Sequence, residues 1–207
     1  MILVQKAGEG MTQFELMDKI LTDGQGSIRM AQIKDTGISK PVFYDFVSTR
    51  KLEKVGPGIY MSQDAWRDEM YLIHLRYSQA VFSHESALFF HDLTDREPQQ
   101  HTVTMRTGYN TTKPRADGIH VFTIKKELHD VGLETAKTPF GHDVPVYNAE
   151  RTICDILRSR SSIEAFILQD AIKRYARSRE KDLSRLMRYA PQFHVEKLVR
   201  QYMEVLL

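Results

Sequence analysis

The chain has 207 residues, 42% of them hydrophobic and 27% charged, and a formal net charge of +2, which is typical of an ordinary soluble globular protein. No apolar run approaches the roughly 18 residues that span a bilayer, and the opening segment MILVQKAGEG lacks the features of a signal peptide. The single cysteine, Cys154, excludes an internal disulfide and a cysteine-based zinc site, so we expect a cytoplasmic protein.

Two helices are predicted in the first part of the chain. Segment TQFELMDKILTD has apolar residues at helical spacing after a Thr12 cap, and the following DGQG ends the helix. Ser27 is predicted to cap a second, short helix, IRMAQIKD, with Met30, Ala31 and Ile33 facing inward.

A turn, a third helix and a hairpin come next. Gly37 supplies the permissive backbone of a tight turn, and Ser39 caps a helix with Pro41 in its first turn. Segments KLEKV and IYMS then flank a Gly-Pro-Gly turn, which predicts a β-hairpin. This order of elements is that of a winged helix-turn-helix, and we assign it to residues 1–62.

Residues 63–207 are predicted to form a separate, mixed α/β domain that ends in a helical C-terminus, so the expected fold class is α+β. SQDAWRDEMYLIHLRY reads as a helix with Trp66 on its apolar face. AVFS, QHTVTM, IHVFTIK and two runs within GLETAKTPFGHDVPVYN read as strands, and HESALFFHDL as a helix. From AERTICDIL onward the pattern is helical, with breaks near residues 159–162, 178–181 and 191.

The third helix and the hairpin carry the candidate DNA-binding residues. Val42, Phe43, Phe46 and Val47 cluster on one arc of the helix, which leaves the opposite face free for base edges and phosphates. Asp45 on that free face would repel phosphate, and a protein-binding role of this domain stays the alternative. The predicted DNA-binding residues are Lys40, Tyr44, Ser48, Arg50, Lys51, Lys54, Gly56 and Gly58.

Positive charge is pooled near the C-terminus, where residues 158–207 carry 11 Lys and Arg against 6 Asp and Glu. Its cations recur at helical spacing and predict a basic patch on two adjacent helices, opposite apolar residues that include Phe166 and Leu186. The patch either contacts phosphates of nucleic acid or an acidic partner, or it is only a solvated face. The predicted patch consists of Lys173, Arg174, Arg177, Lys181, Arg185 and Arg188.

No residue pattern predicts catalysis, a metal or a cofactor. His84, Glu85 and His91 do not have the H-E-x-x-H spacing of a zinc protease, and two turns of helix would separate the histidines by about 10 Å. They are expected to be buried and hydrogen-bonded. Cys154 shows no sign of activation. Arg151 and Asp155 have the i, i+4 spacing of a weak ion pair on a helix surface.

The chain resembles the AbiEi antitoxins, the partners of nucleotidyltransferase toxins in type IV toxin–antitoxin systems that abort phage infection. The resemblance rests on GISKPVFYDFVSTRKLEKVGPGIYMS, SHESALFFHDLTD and VPVYNAERTICDIL, in that order, and covers essentially the whole chain. It implies a non-enzymatic antitoxin that represses its own operon by binding inverted repeats in promoter DNA. Because a monomer of this size offers few base contacts, we expect two copies on one operator. The resemblance also implies action against the toxin without a stable complex.

Two other functions stay open from the sequence. One is a metal-dependent hydrolase or nuclease that uses His84, Glu85 and His91 beside a winged-helix accessory domain. The other is a different winged-helix transcriptional regulator, or an adaptor that contacts only protein.

Overall fold

The computed structural model describes residues 11–206. The segment MILVQKAGEG, where no signal peptide is expected, lies outside the described residues. The chain divides into two compact units, Met1–Arg76 and Tyr77–Leu207. Each combines helices with a β-sheet, so the fold is α+β with a helical C-terminus.

The described part of the N-terminal unit contains four α-helices around a small sheet. The sheet is antiparallel, and its central strand pairs with a neighbour on each side in the order β1-β3-β2. The elements in chain order are α1 (Gln13–Asp23), β1 (Ser27–Arg29), α2 (Met30–Ile33), α3 (Lys40–Thr49), β2 (Glu53–Gly56), β3 (Ile59–Met61) and α4 (Glu69–Arg76).

The predicted cap of α1 is confirmed, whereas Ser39 occupies the N-cap position of α3 but its side chain makes no capping hydrogen bond. Thr12 caps α1, and its hydroxyl and the Glu15 side chain each bond to the backbone N–H of the other residue. Gly37 has the positive φ of 79° that its turn requires. Met17, Ile28, Phe43 and other apolar side chains fill one core between the helices and the sheet.

Three predictions for this unit are wrong, and they concern Ser27, Ala31 and Trp66. Ser27 does not cap a helix, because Ser27–Arg29 pairs with β3, with Ile28 opposite Tyr60. The helix after this strand is only four residues long, and Ala31 is exposed. Trp66 lies before α4, which begins only at Glu69, and is 81% exposed. At the start of that helix the Asp68 carboxylate accepts the Tyr71 N–H at 3.0 Å.

Helix α4 belongs to the N-terminal unit, beyond the boundary at residue 62 expected from the sequence. The Arg76 guanidinium at its end donates from Nε to the Val55 carbonyl oxygen at 3.0 Å. This bond links the end of α4 to strand β2 within the N-terminal unit.

The C-terminal unit has a five-stranded mixed sheet in the order β6-β5-β4-β8-β7. Strands β4 and β8 are parallel, as are β5 and β6, while β4–β5 and β7–β8 are antiparallel. The strands are β4 (Val81–Phe82), β5 (Thr102–Arg106), β6 (His120–Ile124), β7 (Leu133–Lys137) and β8 (Asp143–Tyr147). All five coincide with predicted strand segments, and β5 extends beyond its segment to include Arg106.

The C-terminal unit has its helices both between the strands and after β8. They are α5 (His84–Phe90), α6 (Thr112–Ala116), α7 (Lys126–His129), α8 (Ala149–Arg158), α9 (Ala165–Arg177), α10 (Leu183–Tyr189) and α11 (Glu196–Leu206). The predicted breaks between the last four are confirmed, with a short 3-10 turn at Arg160–Ser162. Helix α8 is buried from Glu150 to Leu157 and contacts α5, α9, α10 and α11, so it forms the centre of this core. None of the described helices is both long and apolar enough to cross a membrane.

Candidate nucleic-acid interface

Helix α3 has one buried face and one exposed face. The rings of Phe43 and Phe46 are fully buried, three positions apart, as core positions of a helix must be. Tyr44 is 51% exposed, and Lys40 and Ser48 are exposed with it. The predicted division of α3 into a packed and a free face is therefore confirmed.

The exposed Tyr44 ring packs against two aromatic neighbours. Its ring meets Phe43 and Tyr60 edge to face, with centroid distances of 5.9 and 6.4 Å. Burial, and then the adjacent Tyr44, raise the pKa of the Tyr60 hydroxyl. Tyr60 lies opposite Lys54 in the hairpin register and is absent from the predicted site. Its position in strand IYM, next to a predicted wing, is the signal that could have identified it.

The C-terminal end of α3 places Lys51 in a left-handed backbone conformation. Lys51 has φ 52°, where glycine is usual. Its N–H bonds to the Ser48 carbonyl at 3.1 Å, and the Leu52 N–H bonds to the Val47 carbonyl at 2.9 Å. These two bonds form a Schellman motif that ends the helix and leaves the Lys51 side chain exposed.

Arg50 has an intramolecular partner that the sequence did not predict. Its guanidinium makes two hydrogen bonds with the Asp18 carboxylate of α1, at 2.8 and 2.5 Å. These bonds raise the pKa of Arg50, and its guanidinium carbon lies 5.7 Å from the centre of the Phe46 ring. Arg50 therefore ties α3 to α1, and the predicted contact of Arg50 with phosphate would compete with Asp18.

The hairpin presents few side chains at its tip. Lys54 is exposed, and a register shift between Lys54 and Gly56 bends strand β2. Gly58 has φ 68°, and its carbonyl accepts the Met30 N–H at 2.8 Å. The positive φ favours glycine at position 58, and a Cβ on Gly56 would lie 3.0 Å from the Ile59 side chain, which would have to shift to accept a larger residue.

The basic patch of the C-terminal unit divides into free and paired cations. Lys173, Arg177 and Arg188 are exposed and form no ion pair with any residue in the range 11–206. We call these three residues the free cations. They are the patch residues that remain open to an anionic partner.

The other three patch residues are engaged within the unit. Arg174 binds the carboxylates of Asp95 and Asp170. Arg185 lies 3.4 Å from the buried carboxylate of Glu150. Lys181 precedes α10 rather than lying on it, and its Nζ donates to the Ser178 carbonyl at 3.0 Å. Pairing therefore reduces the number of unpaired cations below the expected three on each of two helices. Phe166, which was expected on the apolar side, is 47% exposed and lies beneath the Arg96 guanidinium.

The two histidines of α5 are held by hydrogen bonds. His84 Nδ1 and Nε2 lie 3.0 and 3.1 Å from the Ser83 and Ser159 hydroxyls, and His91 Nε2 lies 2.7 Å from the Tyr147 carbonyl. Burial lowers the pKa of His84 to about 3, so its ring is neutral. Among residues 11–206, no cluster of three His, Cys, Asp or Glu side chains is placed to hold a metal ion.

The Arg151–Asp155 pair is buried, not on a helix surface as expected. Arg151 Nε donates to Asp155 Oδ2 at 3.0 Å, with the two side chains 0% and 5% exposed. Arg151 Nη1 also donates to the carbonyls of Leu128 and Val131, which precede β7. The i, i+4 spacing is as predicted, but helix α8 has neighbours on every side.

Comparison with known proteins identifies a structure with a similar fold but does not assign the chain to a family. No family model matches the chain, and no curated protein has a similar sequence. A crystal structure of the RV2827C protein from Mycobacterium tuberculosis has the same fold, with a TM-score of 0.61 over 90% of this chain and 75% of that one. The two sequences are 12% identical, so the likeness extends to the fold alone.

Proposed function

We propose that this protein is a type IV antitoxin that also represses its own operon, and that its N-terminal unit is a winged helix-turn-helix that binds inverted repeats in promoter DNA. The observation that carries this proposal is helix α3. Its Phe43 and Phe46 are buried while Lys40, Tyr44 and Ser48 face solvent. A helix that reads a major groove needs such a packed back and a free polar face.

Different residues of the unit are assigned different parts of the interaction. Tyr44 and Ser48 carry hydroxyl groups that hydrogen-bond base edges, whereas Lys40, Lys51 and Lys54 neutralise phosphates. The Gly-Pro-Gly tip lets the hairpin approach the DNA backbone or minor groove. Net charge in residues 1–60 is only +1, from eight Lys and Arg against seven Asp and Glu. Additional phosphate contacts are therefore assigned to the free cations.

Opposition to the toxin is assigned to the C-terminal unit, with a nucleotidyltransferase as the functional partner and no stable complex between the two. This assignment comes from the resemblance in the segments SHESALFFHDLTD and VPVYNAERTICDIL. Coexpression with the nucleotidyltransferase encoded beside it tests the assignment. Restored growth supports an antitoxin, and unchanged toxicity contradicts it.

A gel shift with the protein's own promoter tests the DNA-binding half of the proposal. Lys51→Ala should weaken binding to specific and unrelated DNA equally, and lower the slope of log K against log salt by about 1. Tyr44→Ala should instead reduce the preference for the promoter. Asp35→Ala, a change at another exposed position of the unit, is the control. Unchanged affinity and preference in both variants would refute the role of α3.

A further inference from the structure

A groove of about 370 Å³ lies on the surface of the C-terminal unit, between helices α9 and α11. Its walls are mostly apolar, and it is open to solvent along one side. A groove of this kind between two helices is typical of a surface that receives a third helix. The lining residues that matter here are Leu198, Tyr202, Val205 and Leu206 of α11, with Gln169 and Lys173 across the groove on α9.

Helix α11 has one buried face and one exposed face. Val199 and Met203 are buried in the core of the unit. Val205 is 83% exposed, a larger fraction than for any other large hydrophobic side chain among residues 11–206. Because Val205 and the partly exposed Leu198 both line the groove, they form one continuous apolar surface with it and are not isolated apolar residues.

Two unpaired charges of opposite sign flank this apolar surface on α11. Lys197 and Glu204 are exposed, and neither forms an ion pair with another residue in the range 11–206. They are seven positions apart, so they lie on one side of the helix but about 10 Å from each other along its axis. Arg200 differs from them, because it is paired with Glu196 at 2.9 Å.

The charges at the two ends of this surface are complementary to a second copy of the same helix. In an antiparallel pair of identical helices, the first turns of one helix face the last turns of the other. With the two-fold axis at Gln201, Lys197 of each copy lies close to Glu204 of the other copy. The same register places Val205 of each copy beside Leu198 of the other, in the groove. A parallel pair would instead place each charge beside its own equivalent.

We propose that the protein forms an antiparallel two-fold dimer through α11, with Val205 of each copy in the groove of the other. Two ion pairs and two apolar contacts form together in this arrangement. The eleven residues of α11 extend for about 16 Å, so the contact buries less than the roughly 1,200–2,000 Å² of a stable interface. The dissociation constant is therefore expected to be on the order of 10–100 μM. The proposal does not rest on DNA binding by the N-terminal unit.

Sedimentation velocity of the full-length protein without DNA tests the proposal, over concentrations that span the expected dissociation constant. Lys197→Glu should weaken the dimer about tenfold or more, because it places like charges together at both ends of the contact. Glu204→Lys should have the same effect. The double exchange, Lys197→Glu with Glu204→Lys, should restore the wild-type association because opposite charges face each other again.

Lys125→Glu is the matched control for the single exchange. Lys125 is an exposed lysine of the same unit and lies outside α11 and the groove, so this variant should associate as the wild type does. Lys197 and Glu204 are exposed as well, so their exchange leaves the core of the unit intact.

Cross-linking gives a second readout, because the native Cys154 is buried. Gln201→Cys places two thiols together on the two-fold axis, so mild oxidation should give a covalent dimer. Gln192→Cys is the control, since Gln192 is an exposed glutamine that precedes α11 and lies outside the groove. It should cross-link much more slowly.

Three results would overturn the proposal. One is a wild-type protein that stays monomeric over the whole concentration range. Another is a double exchange that associates no better than the two single variants. The third is equal cross-linking of Gln201→Cys and Gln192→Cys, which would show that position 201 does not meet its equivalent in a second copy.

Discussion

Arg151 and Asp155 form an ion pair within helix α8 at 3.0 Å, and neither side chain has appreciable contact with solvent. Burial raises the pKa of Asp155 while Arg151 opposes that shift. Desolvation of two charges offsets much of their attraction, so the pair adds little net stability as a unit. Losing one member is different, because the other is left buried without its counter-charge.

Asp155→Ala should therefore destabilise the C-terminal unit by about 3–5 kcal/mol, measured by urea denaturation. The matched control is Asp170→Ala, which breaks another i, i+4 pair, with Arg174, on the exposed side of α9. That variant should unfold close to the wild-type midpoint, because solvent screens the pair. Equal unfolding midpoints for the two variants would contradict the conclusion that the buried Arg151–Asp155 pair matters more to stability than the exposed pair.

Lys51→Gly should stabilise the N-terminal unit by about 0.5–1 kcal/mol, because a left-handed residue loses its Cβ conflict. Lys51 has φ 52° at the end of α3. Thr49→Gly, in the last helical residue, should destabilise the same unit and serves as the control. Thermal unfolding measures both. A less stable Lys51→Gly protein would argue that the side chain itself holds the cap.

Stability should fall as the solution becomes acidic, because His84 is protonated in the unfolded chain but not in the folded one. Burial lowers its folded pKa from 6.5 to about 3. Its contribution is therefore present above pH 6.5 and is lost as the pH falls toward the folded value. Between pH 7 and pH 5 this single group should remove about 2 kcal/mol of stability.

His84→Asn isolates that contribution. Asparagine tolerates the left-handed backbone that His84 adopts at φ 49°, and it does not titrate. Denaturation at several pH values should show a shallower loss of stability for the variant than for the wild type. Parallel curves between pH 7 and pH 5 would show that His84 titrates equally in both states.

Replacing the three free cations, Lys173, Arg177 and Arg188, by alanine should weaken promoter binding and flatten its salt dependence. A control triple variant, Lys113, Lys125 and Lys126 to alanine, removes the same charge from other exposed positions of the unit. Gel shifts at three salt concentrations compare the two. Wild-type affinity and antitoxicity in the first variant, or equal losses in both, would leave the free cations as a solvated face.

Cys154 should be inert toward a thiol reagent in the folded protein. It is fully buried in α8, and burial raises the pKa of its thiol to about 12. Because it is the single cysteine, the colour released by an aromatic disulfide reagent reports on it alone. The reaction should be slow in buffer and rapid in urea above the unfolding transition. Rapid reaction without urea would show that α8 opens readily.

Part of the candidate interface could be predicted from the sequence, because it depends on residues a few positions apart. The spacing of Phe43 and Phe46 determined which face of α3 is buried, and the hairpin resulted from its Gly-Pro-Gly turn. The breaks between the C-terminal helices had the same local origin. DNA binding by this unit stays a prediction.

Tertiary structure alone decided the pairings between distant residues. Arg50 meets Asp18 across 32 positions of the chain, and Ser27 joins a strand because Met61 lies opposite it. The same i, i+4 spacing places Arg151–Asp155 in the core and Arg174–Asp170 in solvent. The periodicity of the sequence specifies which residues share one side of a helix. The number of elements packed around that helix determines whether its charged side chains are exposed to solvent or paired in the core.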